Sequence, residues 1–386
     1  MTISSKQIAI VLLCYADYES LEISLAAYTK LTPENVKIFI LQNGRGTYDT
    51  ERTYRVAKRY ADLFPRQIEV VDWIAPQKPY LSIKQLLNSD VLKPYDYICK
   101  VDDDVFPLTP NWLERLSDCY EKSYKKYRDQ LAYVTGLVNN NPWGFPRVLD
   151  MMGLKDVYFK AIARDHYVGL PCYSESAYYI NDKSRISDGC AGTIWRNPYI
   201  SRWLHEQSTM KPDAFIQATA GKEYEEVSNK ERYSINCMFF KRDFWNQIDI
   251  GHTDDEHQIL VYCKKHNKKI IADLQVPMIH LFFCTQREEN KDIIPMVRNY
   301  YQKWLDVPFP ISMCPLKEYE NENRLRWIEQ RINDVNCGLA WHITRQTQFY
   351  SLISLYKKYK YKLLPKVTLG KRRKKYKKKY KELKRM

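Results

Sequence analysis

Three consecutive carboxylates, Asp102-Asp103-Asp104, stand directly after the apolar run Tyr97 to Val101 and before Val105-Phe106. Like charges this close repel: two unit charges about 4 Å apart cost on the order of 4 kcal/mol at an effective dielectric near 20. Such a cluster needs solvent, protonation or a cation, and a divalent cation is the economical answer. Oxygen ligands suit Mg²⁺ or Mn²⁺, ions that usually combine one or two carboxylates with substrate phosphates. For an isolated D-x-D the plain alternative is a solvated acidic turn. A second acidic group, Asp254-Asp255-Glu256, precedes an apolar helical pattern. N-terminal capping and the helix dipole account for one acid there, but not for three.

The elements that must position these residues follow from the apolar spacing. Lys6 to Tyr15 is β-branched and aliphatic and too short for a typical helix, whereas Tyr18 to Thr29 carries leucines and alanines at helical spacing. Val36 to Leu41 reads as a second strand closed by Gln42-Asn43-Gly44. A basic amphipathic helix over Glu51 to Leu63 leads to a third strand, Ile68 to Val71. A helix over Ser82 to Leu87 precedes the strand Tyr97 to Val101. Strands alternating with helices predict an α/β fold, a mostly parallel sheet covered on both faces. Ligands of such sheets sit beyond the carboxyl ends of the strands, which here are Tyr15, Asn43, Asp72 and Asp102.

With that order in place, the chain resembles the GT-A class of nucleotide-sugar-dependent glycosyltransferases, in particular the D-x-D-containing enzymes of bacterial polysaccharide synthesis. The resemblance rests on the β/α front half, on Asp102-Asp103-Asp104, and on the segment Asn236 to Phe283. That segment runs as an apolar strand, an aromatic-bearing helix, an acidic cluster opening a helix, a short strand and a histidine. The resemblance implies a GT-A (Rossmann-like), mostly parallel sheet flanked by helices, with a helical basic C-terminal extension. Its catalytic domain would span residues 1–285, divided into a nucleotide-sugar half (1–136) and an acceptor half (137–285). A helical extension (286–345) and a basic amphipathic tail (346–386) would follow.

The roles it implies fall on particular residues. Asp104 would bind the metal that bridges the donor diphosphate, Asp102 would reach the ribose or the metal, and Asp103 would lie on the nucleotide-sugar side. His280 would be a further metal ligand, and neutral imidazole is an acceptable partner for Mn²⁺. Tyr15 and Asp17 would contact the base. Asn43 stands where an aspartate is more usual, Asp72 and Trp73 could flank the base, and Lys84 could approach the diphosphate. Inverting glycosyl transfer needs a carboxylate to remove the acceptor hydroxyl proton. The acidic cluster offers Asp255 and Asp254, one as base and one as acceptor contact, with the register leaving Glu256 open. Trp143, Trp195, Trp203 and the stretch Gly189 to Thr193 could face an acceptor sugar or fill the core.

Composition limits the other possibilities. The net charge is +15, yet residues 357–386 hold 16 Lys or Arg and one acid, so residues 1–356 carry 45 basic and 45 acidic side chains. A neutral body argues against a nucleic-acid-binding face, and no nucleic acid is expected as a partner. In the tail, Phe349, Leu352, Ile353, Tyr356, Tyr359 and Leu363 recur at helical spacing among lysines. That pattern suits an anionic membrane surface contacted through Lys357–Met386, with RNA or DNA binding and a solvated tail as alternatives. Ten cysteines form no C-x-x-C pair and no N-x-S/T site occurs, which suits a reducing compartment. No apolar run spans a bilayer, Met1 to Gln7 do not read as a secretory signal, and the expected location is cytoplasmic, peripheral at the inner face of the membrane. The expected activity is a metal-dependent glycosyltransferase using a UDP-sugar and a glycan or lipid-linked acceptor. Its rivals are a nucleotidyltransferase of similar fold, against which Leu12 to Glu22 contains no glycine for a phosphate loop, and a non-catalytic scaffold acting through the tail.

Overall fold

The computed structural model describes residues 7–141, 143–158, 198–227, 233, 235–248, 255–282 and 290–309. All of them lie in one unit, Met1–Pro315. The tail at 346–386, the rest of the extension beyond residue 309, Asp254, Trp195 and the stretch 189–193 lie outside the described residues. The front half folds as the apolar spacing requires: β1 (Ile8–Cys14), α1 (Tyr18–Leu31), β2 (Lys37–Gln42), α2 (Tyr48–Leu63), β3 (Ile68–Val71), α3 (Pro79–Leu87) and β4 (Tyr97–Asp102). Asp17 caps α1 through Ser20, and Thr47 and Thr50 form a reciprocal capping box at α2. β2, β1 and β4 are parallel neighbours with β3 at the edge, and Leu13 sits opposite Asp102. This register brings the carboxyl ends of three strands to one margin.

The second half departs from the expected pattern. β5 (Val105–Pro107), α4 (Trp112–Tyr127), β6 (Leu131–Val138), α5 (Gly144–Met151), α6 (Pro198–Leu204), α7 (Pro212–Thr219), β7 (Tyr224–Glu226), β8 (Cys237–Lys241), α8 (Asp255–Lys265), β9 (Lys269–His280) and α9 (Ile293–Trp304) follow. The nine strands make one sheet in the order β3-β2-β1-β4-β8-β6-β9-β5, with β7 also on β9. β8 runs antiparallel between β4 and β6, and β5 and β7 run antiparallel to β9. The sheet is therefore mixed, not mostly parallel. A strand buried on both faces reads as a continuous apolar run whatever its direction. Between β4 and β5 there are only two residues, too few for the crossover a parallel neighbour needs.

Two features close the core around the site. α1 is buried almost all round, including Glu22, whose carboxylate is paired with Arg298 of α9. Tyr28 of α1 donates to the Val105 carbonyl at 2.8 Å, and Tyr301 of α9 packs edge-on against Phe106 at 4.9 Å between ring centres. β6 and β9 pair in parallel with an irregularity after Gly136. A side chain there would meet the Val276 carbonyl at 2.6 Å and the Met278 sulfur at 2.8 Å. Gly136→Ala is expected to destabilise the protein by about 2 kcal/mol through overpacking, read as a lowered urea midpoint at unchanged slope.

Candidate functional site

Strand register builds the site. Antiparallel pairing sets Val105 of β5 opposite His280, the last residue of β9, and the Leu281 amide donates to the Asp104 carbonyl at 2.9 Å. The Asp104 carboxylate thereby meets the His280 ring, Oδ2 to Nε2 at 3.1 Å, with 14% of one side chain and 5% of the other exposed. On its far side His280 Nδ1 faces Asn140 Oδ1 at 2.6 Å, while Asn140 Nδ2 donates to the His280 carbonyl at 3.0 Å. The second bond fixes which way the amide points, so Nδ1 carries a proton and Nε2 is the atom turned to Asp104. Asn139 accepts from the His280 amide at 2.9 Å and donates to Ser208 at 3.1 Å. Ser208 lies in a single π-helical turn, His205–Thr209, continuing α6.

The other two carboxylates of the cluster are held differently. Lys100, 1% exposed inside β4, donates from Nζ to Asp102 Oδ1 at 2.5 Å and to the Ile235 carbonyl at 2.9 Å. Asn236 Nδ2 approaches Asp102 Oδ2 at 3.3 Å. Asp103 accepts from the Tyr15 amide at 3.0 Å and so ties the end of β1 to the end of β4.

Burial governs the electrostatics. It raises the pKa of Asp102, an effect that Lys100 opposes and the charges of Asp104 and Asp255 reinforce. Burial, then Asp104 and Asp17, raise that of Asp103 well above the carboxylate range. Burial also disfavours the Asp104 anion, but His280 outweighs it and the pKa is lowered. Burial disfavours the His280 cation in turn, and Asp104 with Asp102 and Glu256 raises its pKa. At the start of α8, Asp255 Oδ1 accepts from the Glu256 amide at 3.0 Å, and the charges of Asp255 and Glu256 are the smallest of the influences that raise the pKa of Asp102 and His280.

The remaining expected residues divide into held and open ones. Asp17 is 3% exposed and both its oxygens serve Ser20. Asn43 commits its amide to Gln77 at 2.9 Å and to Ser82 at 2.6 Å, which staples β2 to the start of α3. Asp72 accepts from Tyr54 at 2.7 Å and lies 3.8 Å from Arg45. Lys84 is half-buried on α3. Tyr15 and Trp73, by contrast, are 57% and 50% exposed at the same margin. The Tyr15 ring lies so close to Gly44 that a Cβ there would stand 2.7 Å from it. Trp143 and Trp203 are core residues, the first under the Arg147 guanidinium at 3.6 Å, so they line no open acceptor face.

Lys100, Asn139, Asn140, Asn236 and Gly44 were missed in the sequence. A lysine inside an otherwise buried strand needs a partner, and that was the one legible signal among them.

Among the described residues no three His, Cys, Asp or Glu side chains gather into one metal-binding group, so Asp102, Asp104 and His280 do not assemble as a set. Asp104 and His280 alone fit a hard divalent ion. Mn²⁺ tolerates an imidazole beside a carboxylate.

No family model matches the chain, and no curated protein matches it. Among solved structures, that of S. aureus TarS aligns with a TM-score of 0.34 and 10% identity, over 84% of this chain and 48% of that one. The chain thus spans about half the length of that protein.

His205 stands behind the site, bonded to Thr209 at 3.0 Å, and burial with the nearby His280 lowers its pKa to about 4. A folded-state value below the usual 6.5 means its contribution to stability is complete above pH 6.5 and is lost as pH falls toward 4. The loss should reach on the order of 3 kcal/mol. Urea unfolding across that window should show the fall in the parent and a visibly flatter profile in His205→Gln.

Proposed function

We propose that the protein is a metal-dependent glycosyltransferase that moves a sugar from a nucleotide donor, with a UDP-sugar expected, to a hydroxyl of a glycan or lipid-linked acceptor. The observation that carries this reading is the meeting of Asp104 and His280, 3.1 Å apart, directly after the carboxyl end of β4. Asp104 and His280 would hold a Mn²⁺ or Mg²⁺, which would supply positive charge to a departing diphosphate. Asp102 accepts hydroxyl hydrogens of the donor. The exposed Tyr15 ring, backed by Gly44, offers a face for the base. Asp255, with Asp254 beside it in the sequence, takes the proton of the acceptor hydroxyl. The acceptor oxygen then bonds the anomeric carbon, the bond from that carbon to the diphosphate breaks, and the nucleoside diphosphate leaves with inversion.

The same reading places the chain in surface polysaccharide or glycolipid synthesis and sets Lys357–Met386 on the anionic cytoplasmic leaflet. No helix among the described residues is long and apolar enough to cross a membrane. Calorimetric titration of the full chain with UDP and GDP should show one nucleotide binding only with Mn²⁺. Chelator or Asp104→Ala should weaken it by about tenfold or more, and binding of neither nucleotide by folded protein would overturn the donor assignment. For the tail, the full chain should pellet with vesicles containing phosphatidylserine. Replacing Lys371, Arg372, Arg373, Lys374 and Lys375 by glutamate should abolish this, and unchanged pelleting would remove the membrane assignment.

A further inference from the structure

The buried lysine of β4 holds Asp102, yet the proposed reaction gives it no step of its own. Lys100 is 1% exposed and lies between Val11 of β1 and Met238 of β8. Its ammonium donates to Asp102 Oδ1 and to the Ile235 carbonyl. A cation seated on Asp102 would stand beside this buried ammonium, a like-charge placement that disfavours it. Asn236, 7% exposed, faces the other Asp102 oxygen, and its own Oδ1 is buried with no partner among the described residues. Each carboxylate oxygen accepts about two hydrogen bonds, so with Lys100 and Asn236 in place Asp102 keeps capacity for a ligand hydroxyl. Its side chain is 24% exposed, enough to receive one.

We propose that Lys100 is a positioning residue: together with Asn236 it withholds Asp102 from the cation and presents it as a hydroxyl acceptor, leaving the cation to Asp104 and His280. The division of labour within the acidic cluster is then set from inside the sheet, by a residue that touches neither cation nor substrate. The nucleotide half of this inference rests on the proposed function, while the metal half does not.

Titration of the full chain with Mn²⁺ alone, and then with UDP and GDP in the presence of Mn²⁺, separates the possibilities. Asp102→Asn should bind Mn²⁺ within about threefold of the parent, whereas Asp104→Asn should lose about tenfold or more. Equal loss in the two variants, or no Mn²⁺ binding by the parent, overturns the inference. Lys100→Met should weaken nucleotide binding by about tenfold to a hundredfold, the worth of a charge-assisted hydrogen bond. Asp102→Asn should lose as much, and the double variant no more. A purely structural lysine would lower the melting temperature and leave nucleotide affinity at the parent value, which also overturns the inference. Should Lys100→Met fail to fold, Asn236→Ala removes the other hold on Asp102 and leaves Lys100 in place: nucleotide binding should weaken about threefold or more at unchanged Mn²⁺ affinity, and parent-like nucleotide affinity overturns the inference. If the parent binds Mn²⁺ but neither nucleotide, the donor reading fails by itself and the Mn²⁺ comparison still decides the inference.

Discussion

Negative charge concentrated at the buried end of β4 is the constraint around which the rest of the molecule is arranged. Three carboxylates with little exposure cannot all stay ionised without compensation. Each has a different partner, an internal ammonium for Asp102, a backbone amide for Asp103 and an imidazole for Asp104, and only the imidazole outweighs burial and lowers the pKa. The three partners come from three directions, β4 itself, the end of β1 and the end of β9. Agreement among separate elements is therefore needed before the cluster can form.

β9 explains how that agreement is reached. It is twelve residues long, pairs β6 along one side, and takes β7 and then β5 as antiparallel partners. Its final residue is His280, so the strand that completes the sheet also delivers the imidazole. Arg115 of α4 fastens the middle of β9 through a two-oxygen grip on Asp273 at 3.0 and 3.1 Å. Of the asparagines that follow β6, Asn140 then holds the imidazole from behind and Asn139 holds the His280 backbone amide. His280 is thus carried by a strand, where positions vary less than on loops.

The front half was legible in the sequence because its strands and helices differ in apolar period, and β1 to β4 fall where that period changes. Strand direction was not legible. Cys237 to Lys241 reads equally well as parallel or antiparallel, since every residue but the last is buried. The cluster Asp102 to Asp104 and His280 could be read from order and spacing. Their partners could not: Asn140 is 140 residues from His280 along the chain, and no local pattern marks it. Asp17 and Asn43 show the converse difficulty. A polar residue at a strand end is equally suited to ligand contact or to capping, and only packing distinguishes the two.

The pairing of Glu22 with Arg298 has a practical meaning for anyone dividing the chain. α9 comes after the last strand and looks, in sequence, like an appendage that could be trimmed. Yet it carries the guanidinium for a carboxylate that is 0% exposed on α1, and the Tyr301 ring that lies against Phe106 beside the acidic cluster. A fragment ending at residue 285 would keep every strand and lose both. Its first symptom would arise at the other end of the sequence, in α1. Fragments for expression should therefore run past Phe309, the last described residue and a buried one.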